Sequence, residues 1–159
     1  MIHAATGGVG HLGTQIAVGR GARVIGTCSH PNHDFLRGLG GEPVAYGAGV
    51  ADRVRELAPD GVDAVADFVG GGALDASDEL LRVPGRVVSI RDPQAAKQRS
   101  GTYVFVRPEP AHLAALAELA DAGRLSAHVQ SVYDLDAVGD AVTEASSGKV
   151  RGKVVLRVP

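Results

Sequence analysis

Apolar positions fall in short runs separated by glycine-rich turns, and the runs alternate between two periods. Ile2 to Ala5 predicts a short strand, closed by Thr6-Gly7-Gly8. Val9 to Val18 follows, with Val9, Leu12, Ile16 and Ala17 on one helical face, and it stops at Gly19-Arg20-Gly21. Arg23 to Thr27 predicts a second strand, His33 to Leu39 a helix with Phe35, Leu36 and Leu39 inward, and Pro43 to Tyr46 a third strand. Val50 to Ala58 is helical by spacing, and Pro59-Asp60-Gly61 turns the chain. Val62 to Val69 predicts a buried strand, Ala73 to Leu81 a helix and Arg86 to Ile90 a strand. The polar stretch Arg91 to Gly101 predicts a loop. Thr102 to Val106 reads as a strand and Ala111 to Ala122 as an Ala/Leu-rich helix. A strand near Val129 to Val132, a helix from Asp136 to Ala145 and a strand from Lys153 to Val158 complete the pattern.

Strands alternating with helices require right-handed crossovers, so the pattern predicts an α/β fold, a doubly wound parallel sheet of the Rossmann-like kind. A length of 159 residues suits one domain over residues 1–159. The 22 glycines are about twice the usual share, without a collagen period, which points to turns and close backbone approaches. Aromatics at 4% leave the core to Val, Ala, Leu and Ile, as in a covered parallel sheet.

Sixteen Lys+Arg against eighteen Asp+Glu, with no basic run, argue against nucleic-acid binding. Cys28 stands alone, which excludes an internal disulfide and a cysteine-built zinc site. No apolar stretch approaches the roughly 20 residues of a membrane span, and the first residues lack the basic and apolar regions of a signal peptide. The expectation is a cytoplasmic protein with no membrane contact.

Ala4-Ala5-Thr6-Gly7-Gly8-Val9-Gly10-His11-Leu12-Gly13 joins the first strand to the first helix. Glycines there let backbone N–H groups approach a pyrophosphate, and the helix N-terminus adds partial positive charge. Gly8, Gly10 and Gly13 form a literal G-x-G-x-x-G, but the strand end favours a register with Ala5 at the first position and Gly7 and Gly10 as the glycines that follow. An acid that binds a ribose 2′-hydroxyl belongs at the end of the second strand, about 20 residues on. This strand ends Gly26-Thr27-Cys28-Ser29-His30 with no carboxylate, which favours NADP(H) over NAD(H). Ser29 can donate a hydrogen bond, and His30, His33 or Arg37 can add positive charge.

Ile2 to Gly10 resembles the cofactor turn of the medium-chain dehydrogenases/reductases, in their quinone-oxidoreductase-like and zinc-type alcohol-dehydrogenase-like branch. Gly21 to Thr27, Gly61 to Asp63 running on to Asp67 to Gly71, Gly85 to Ile90, Phe105 to Pro108 and Arg151 to Leu156 are similar in order and spacing. The resemblance spans essentially the whole chain and implies the cofactor-binding domain alone, with residues 125–159 as a return toward an absent catalytic domain. It implies an NADP(H)-dependent oxidoreductase acting on a carbonyl, quinone or enone, truncated or one half of a split enzyme, a homodimer, and a separate catalytic-domain chain as a partner. Gly7, Gly8, Val9 and Gly10 would hold the pyrophosphate, and Thr27, Cys28, Ser29 and His30 would lie at the adenosine ribose. Phe68, Val69 and Gly70, at the end of a central strand, would lie under the cofactor, and Ser89 and Ile90, then Phe105 and Val106, would approach the nicotinamide. No zinc is expected.

Catalytic groups are harder to find. Tyr46, Tyr103 and Tyr133 are followed four residues later by Val50, Arg107 and Ala137, so no Tyr-x-x-x-Lys is present. A G-x-S-x-G elbow is absent too. His30 and His33 are three apart without a nearby third ligand. Asp63 and Asp67 share a strand face, a conceivable acid pair, although Asp67 fits better as a loop cap. Arg91, Lys97 and Arg99 form a small basic stretch. A non-catalytic nucleotide-binding module is the alternative. An adenosylmethionine-dependent methyltransferase is disfavoured, because it wants an acid where Cys28 stands.

Overall fold

The computed structural model describes Met1–Pro159. Six parallel strands form the main sheet: β1 (Ile2–His3), β2 (Ile25–Cys28), β3 (Glu42–Ala45), β4 (Val65–Asp67), β5 (Val87–Ser89) and β6 (Thr102–Tyr103), in the order β3-β2-β1-β4-β5-β6. Strand order reverses direction between β1 and β4, so their C-terminal ends open a crevice where such sheets bind ligands. Helices α1 (Gly10–Gly19), α2 (His33–Gly38) and α3 (Val50–Leu57) connect the first four strands.

The faces are covered unequally. On one side α3, a 3-10 helix (Asp75–Leu80) and the Leu74 that precedes it pack Val50, Val54, Leu74 and Leu80 against Ile25, Val44, Val65 and Val87. On the other, Leu36 of α2 meets Ile2, Ala5, Val24 and Cys28, with Ala17 and Val18 of α1 alongside. Gly26 lets these layers close: a Cβ there would lie 2.5 Å from Ala5 Cβ and 2.8 Å from Leu36 Cδ2. Beyond β6, Val104, Phe105 and Val106 are exposed, and α5 (Pro110–Asp121) buries no residue.

Residues 125 onward form a separate layer. β7 (Val129–Asp134) and β8 (Lys153–Arg157) pair in parallel around α6 (Val138–Ser146).

Several boundaries differ from the sequence expectation. The run from Val62 to Val69 keeps ladder pairing only over Val65–Asp67, with a single bridge from Val62 to Leu81. The helix expected over Ala73 to Leu81 is a shorter 3-10 helix. Arg91 to Gly101 is not a plain loop: it contains α4 (Pro93–Gln98), whose N-cap Asp92 accepts from the Ala95 amide at 2.8 Å, with Pro93 at the first helical position. The strand expected from Thr102 to Val106 stops at Tyr103.

Candidate functional site

The turn after β1 is bent sharply at its start. Ala4 holds φ +54°, a left-handed conformation uncommon for a residue with a Cβ. Its carbonyl accepts from the Gly7 amide at 3.0 Å. The Gly7 carbonyl accepts from the His11 amide at 3.1 Å and from His11 Nδ1 at 2.8 Å. The chain then enters α1 at Val9 with no side-chain cap and no acid in the first turn. The N–H groups of Gly8, Val9 and Gly10 have no partner in the protein. Unpaired N–H groups on a helix N-terminus, at the switch point of a parallel sheet, form a seat for an anion.

Glycine at position 10 is required by packing. A Cβ there would run into the Ala4 carbonyl, with Ala5 Cα 2.8 Å away, so α1 can rest on β1 only with hydrogen in that place. Gly8 has a different neighbour. A Cβ on it would sit 3.5 Å from Lys153 Nζ, placing an ammonium group beside the turn. Lys153 comes from β8 and was not among the sequence candidates. Its position follows from the docking of the C-terminal layer, which local sequence around the turn does not signal.

That docking is polar. Gln15 donates to the Ser126 carbonyl at 3.0 Å and accepts from the Ser126 amide at 2.9 Å. The Gly152 amide donates to the Thr6 carbonyl at 2.9 Å. His11 Nε2 accepts from the His128 amide at 3.2 Å. Since Nδ1 faces a carbonyl, it carries the proton, and His11 is a neutral imidazole used at both nitrogens. Burial is the main cause holding it below the ordinary histidine range. The Gly7 bond opposes this, while Lys153 and His128 reinforce it.

Below the crevice lies a second network. Asp67 ends β4 fully buried, and its Oδ1 accepts from the amides of Val69 at 3.0 Å and Gly70 at 2.8 Å. Its Oδ2 accepts from Ser89 Oγ at 2.7 Å, and that oxygen accepts in turn from the amides of Arg91 and Asp92. One carboxylate therefore fixes the loops after β4 and β5 together. Asp67→Asn replaces an acceptor oxygen with a donor and leaves either Ser89 or the loop amides unpaired. The expected loss is about 1–3 kcal/mol in urea unfolding, and an unchanged midpoint would contradict this role.

His3 is buried between Ser77 Oγ, 2.8 Å from Nε2, and Thr27 Oγ1, 3.4 Å from Nδ1. Thr27 Oγ1 already accepts from the Ala4 amide at 3.1 Å, so its hydroxyl hydrogen is free to point at Nδ1.

The residues expected at the cofactor separate into three groups. Gly7, Gly8, Val9 and Gly10 form the turn itself, with Val69 exposed and Gly70 buried on the facing loop. Thr27, Cys28 and Ser89 point into the protein. Thr27 and Ser89 hold backbone amides, and burial pushes the Cys28 thiol up to about 11. Ser29 is half-buried, His30 exposed and Ile90 half-buried at strand ends. Phe68 turns toward α1, where its ring lies 3.0 Å from a Cβ built on Gly13. Phe105 and Val106 are 72% and 75% exposed, so the structure gives them no wall to complete.

No group of three or more His, Cys, Asp or Glu side chains comes together that could hold a metal ion. A dinucleotide phosphate does fit the residues present: three unpartnered amides, a glycine cradle and one ammonium group.

The sequence model described as "Zinc-binding dehydrogenase" matches residues 39–156. A probable quinone oxidoreductase of Leishmania amazonensis is 30% identical, over 99% of this chain and 56% of its own length. The quinone oxidoreductase structure from Coxiella burnetii superposes with a TM-score of 0.85 at 32% identity, over 99% of this chain and 52% of that one. A mycobacterial protein solved with NADPH superposes with a TM-score of 0.78 at 29% identity, over 99% of this chain and 55% of that one. The chain spans about half the length of the relatives it matches. It belongs to the zinc-binding dehydrogenase family of the medium-chain dehydrogenases/reductases, and what it spans is their cofactor-binding domain.

Proposed function

We propose that the chain is the nucleotide-holding part of an NADP(H)-dependent oxidoreductase acting on a carbonyl, quinone or enone. The observation that carries this reading is the set of unpartnered amides at Gly8, Val9 and Gly10 on the uncapped end of α1. The absence of a carboxylate at the end of β2 supports NADP(H), since an acid there would repel a 2′-phosphate. The names of the relatives, quinone oxidoreductases among them, support the substrate class. A second copy pairing along the outer edge of β6 is part of the same reading, supported by the free edge and the exposed apolar residues that follow it.

In this reading the three amides and Lys153 bind the pyrophosphate, and the loops pinned by Asp67 close the crevice beside it. The nicotinamide supplies a hydride when bound. Binding NADPH is expected to raise its fluorescence and the protein's melting temperature. Lys153→Met removes one charge beside the turn, so NADPH and NADH should weaken together, by about tenfold. Neither nucleotide shifting the melting temperature at millimolar concentration would sink the reading. A loss confined to NADPH would place Lys153 at the 2′-phosphate instead.

One observation favours a non-catalytic module as the second reading. The two buried titratable groups at the crevice floor, His3 and Asp67, are both engaged with protein partners and leave no free proton donor there. Turnover of a quinone or enone by the chain would decide against it.

A further inference from the structure

We propose that the His30–His33 pair makes this site's preference for NADPH over NADH depend on pH, the imidazoles taking up a proton to receive the 2′-phosphate and releasing their hold as pH rises. The inference rests on the dinucleotide reading above and deepens it.

The end of β2 is where an adenosine ribose falls in a sheet of this order. His30 opens a 3-10 turn (His30–Asn32) directly after it, and His33 opens α2. Their ring centroids lie 4.8 Å apart with planes at 37°. The His30 side chain is exposed, while His33 Nε2 is buried with no partner, a polar atom without the bond its burial calls for.

The surroundings make this pair the switchable charge. Within α2, Asp34 is the carboxylate nearest in sequence, and Arg37 occupies it at 2.6 Å. β2 contributes the buried Cys28 thiol, which carries no charge at neutral pH. β3 contributes Glu42, which pairs with Arg23 at the far end of the strand, while Tyr46 follows at the near end. The C-terminal layer places Arg151 over the Phe35 ring at 5.1 Å, His128 against the same ring at 4.8 Å, and Lys153 beside Gly8. Burial holds His33 below the ordinary histidine range, with His30 and Arg37 adding to this and Asp34 opposing. Asp34, the carboxylate that acts on His33, is already paired with Arg37, so the arriving dianion is what stabilises a proton on the imidazoles.

Phosphate ionisation acts in the opposite sense. A 2′-phosphate gains its second charge near pH 6, which strengthens binding as pH rises, whereas the histidines weaken it. The test measures NADPH and NADH dissociation constants on the 159-residue chain by fluorescence from pH 6.0 to 8.5. Calorimetry in two buffers of different ionisation enthalpy counts the protons. The ratio of NADH to NADPH dissociation constants is expected to fall about tenfold between pH 6.5 and 8.5, with proton uptake on NADPH binding only. The double variant His30→Gln with His33→Gln should lose both effects. His30→Gln, altering only the exposed ring, should lose part of each, and His30→Lys should keep the preference at pH 8.5. A ratio that does not change with pH while both nucleotides bind would overturn this inference alone, as would a decline that survives in the double variant. Binding of neither nucleotide would overturn the cofactor reading along with it.

Discussion

Gly10→Ala should abolish useful NADPH binding, raising the dissociation constant by about a hundredfold or more. The added methyl lands on the Ala4 carbonyl, with Ala4 C and Ala5 Cα each 2.8 Å away. These are backbone atoms, so no rotamer change relieves the overlap and α1 must lift from β1. The amides of Gly8, Val9 and Gly10 then lose their common aim. Hydrogen bonds to a charged group are worth about 1.5–3 kcal/mol each, and losing two gives the stated change. Gly7→Ala is the control, because its Cβ would meet the Ala4 carbonyl at 3.4 Å, an acceptable contact. It should bind within about threefold of the parent. If the two alanine variants bind alike, strand–helix contact is not what shapes the turn.

The second large effect is acid destabilisation through His3. Its pKa is lowered from 6.5 to about 4, first by burial, with the N-terminal amine adding to this and Asp67 opposing. Between those values the unfolded chain binds a proton that the folded protein refuses. Stability is therefore full above about pH 6.5 and falls as pH drops toward 4, by about 3 kcal/mol in all. The hydrogen bonds give the structural cause: Nε2–H points at Ser77, and Nδ1 faces the hydroxyl of Thr27, already committed to Ala4. A second ring proton would force the Thr27 hydroxyl to turn its hydrogen away and accept from both Nδ1 and the Ala4 amide, in a site kept from water. His3→Gln should be less stable at pH 7 yet flatter between pH 6.5 and 4.5 in urea titrations. An identical slope in both proteins would assign the acid limb to other groups.

The alternation of periods made the sheet legible, because each crossover helix carries its own 3.6-residue face and each strand its own run. What the pattern could not show is what lies on the other side of an apolar residue. α5 was legible as a helix, yet Leu113 and Leu116 on it are 70% and 39% exposed. α4 was hidden by its polarity, although Asp92-Pro93 carried a helix-start signal. At the site, the glycine turn was readable because its chemistry is local. Cys28 shows the opposite case: a residue at a strand end looks open in sequence, but β2 is covered on both faces and all four of its residues are buried. Lys153 lies more than a hundred residues from the turn it adjoins, and only the docking of β8 brings it there.

That docking has a consequence for which residues the joint tolerates. Residues 125–159 are attached to the glycine turn and α1 through their backbone, at Ser126, His128 and Gly152, with the side chains of Gln15 and His11 reaching across from α1. The grip is particular about one residue it holds: Gly152 has φ +70°, and a Cβ on it would run into the His128 carbonyl. The C-terminal layer is thus keyed to the turn at Gly152, the residue next to the Lys153 that lies beside Gly8.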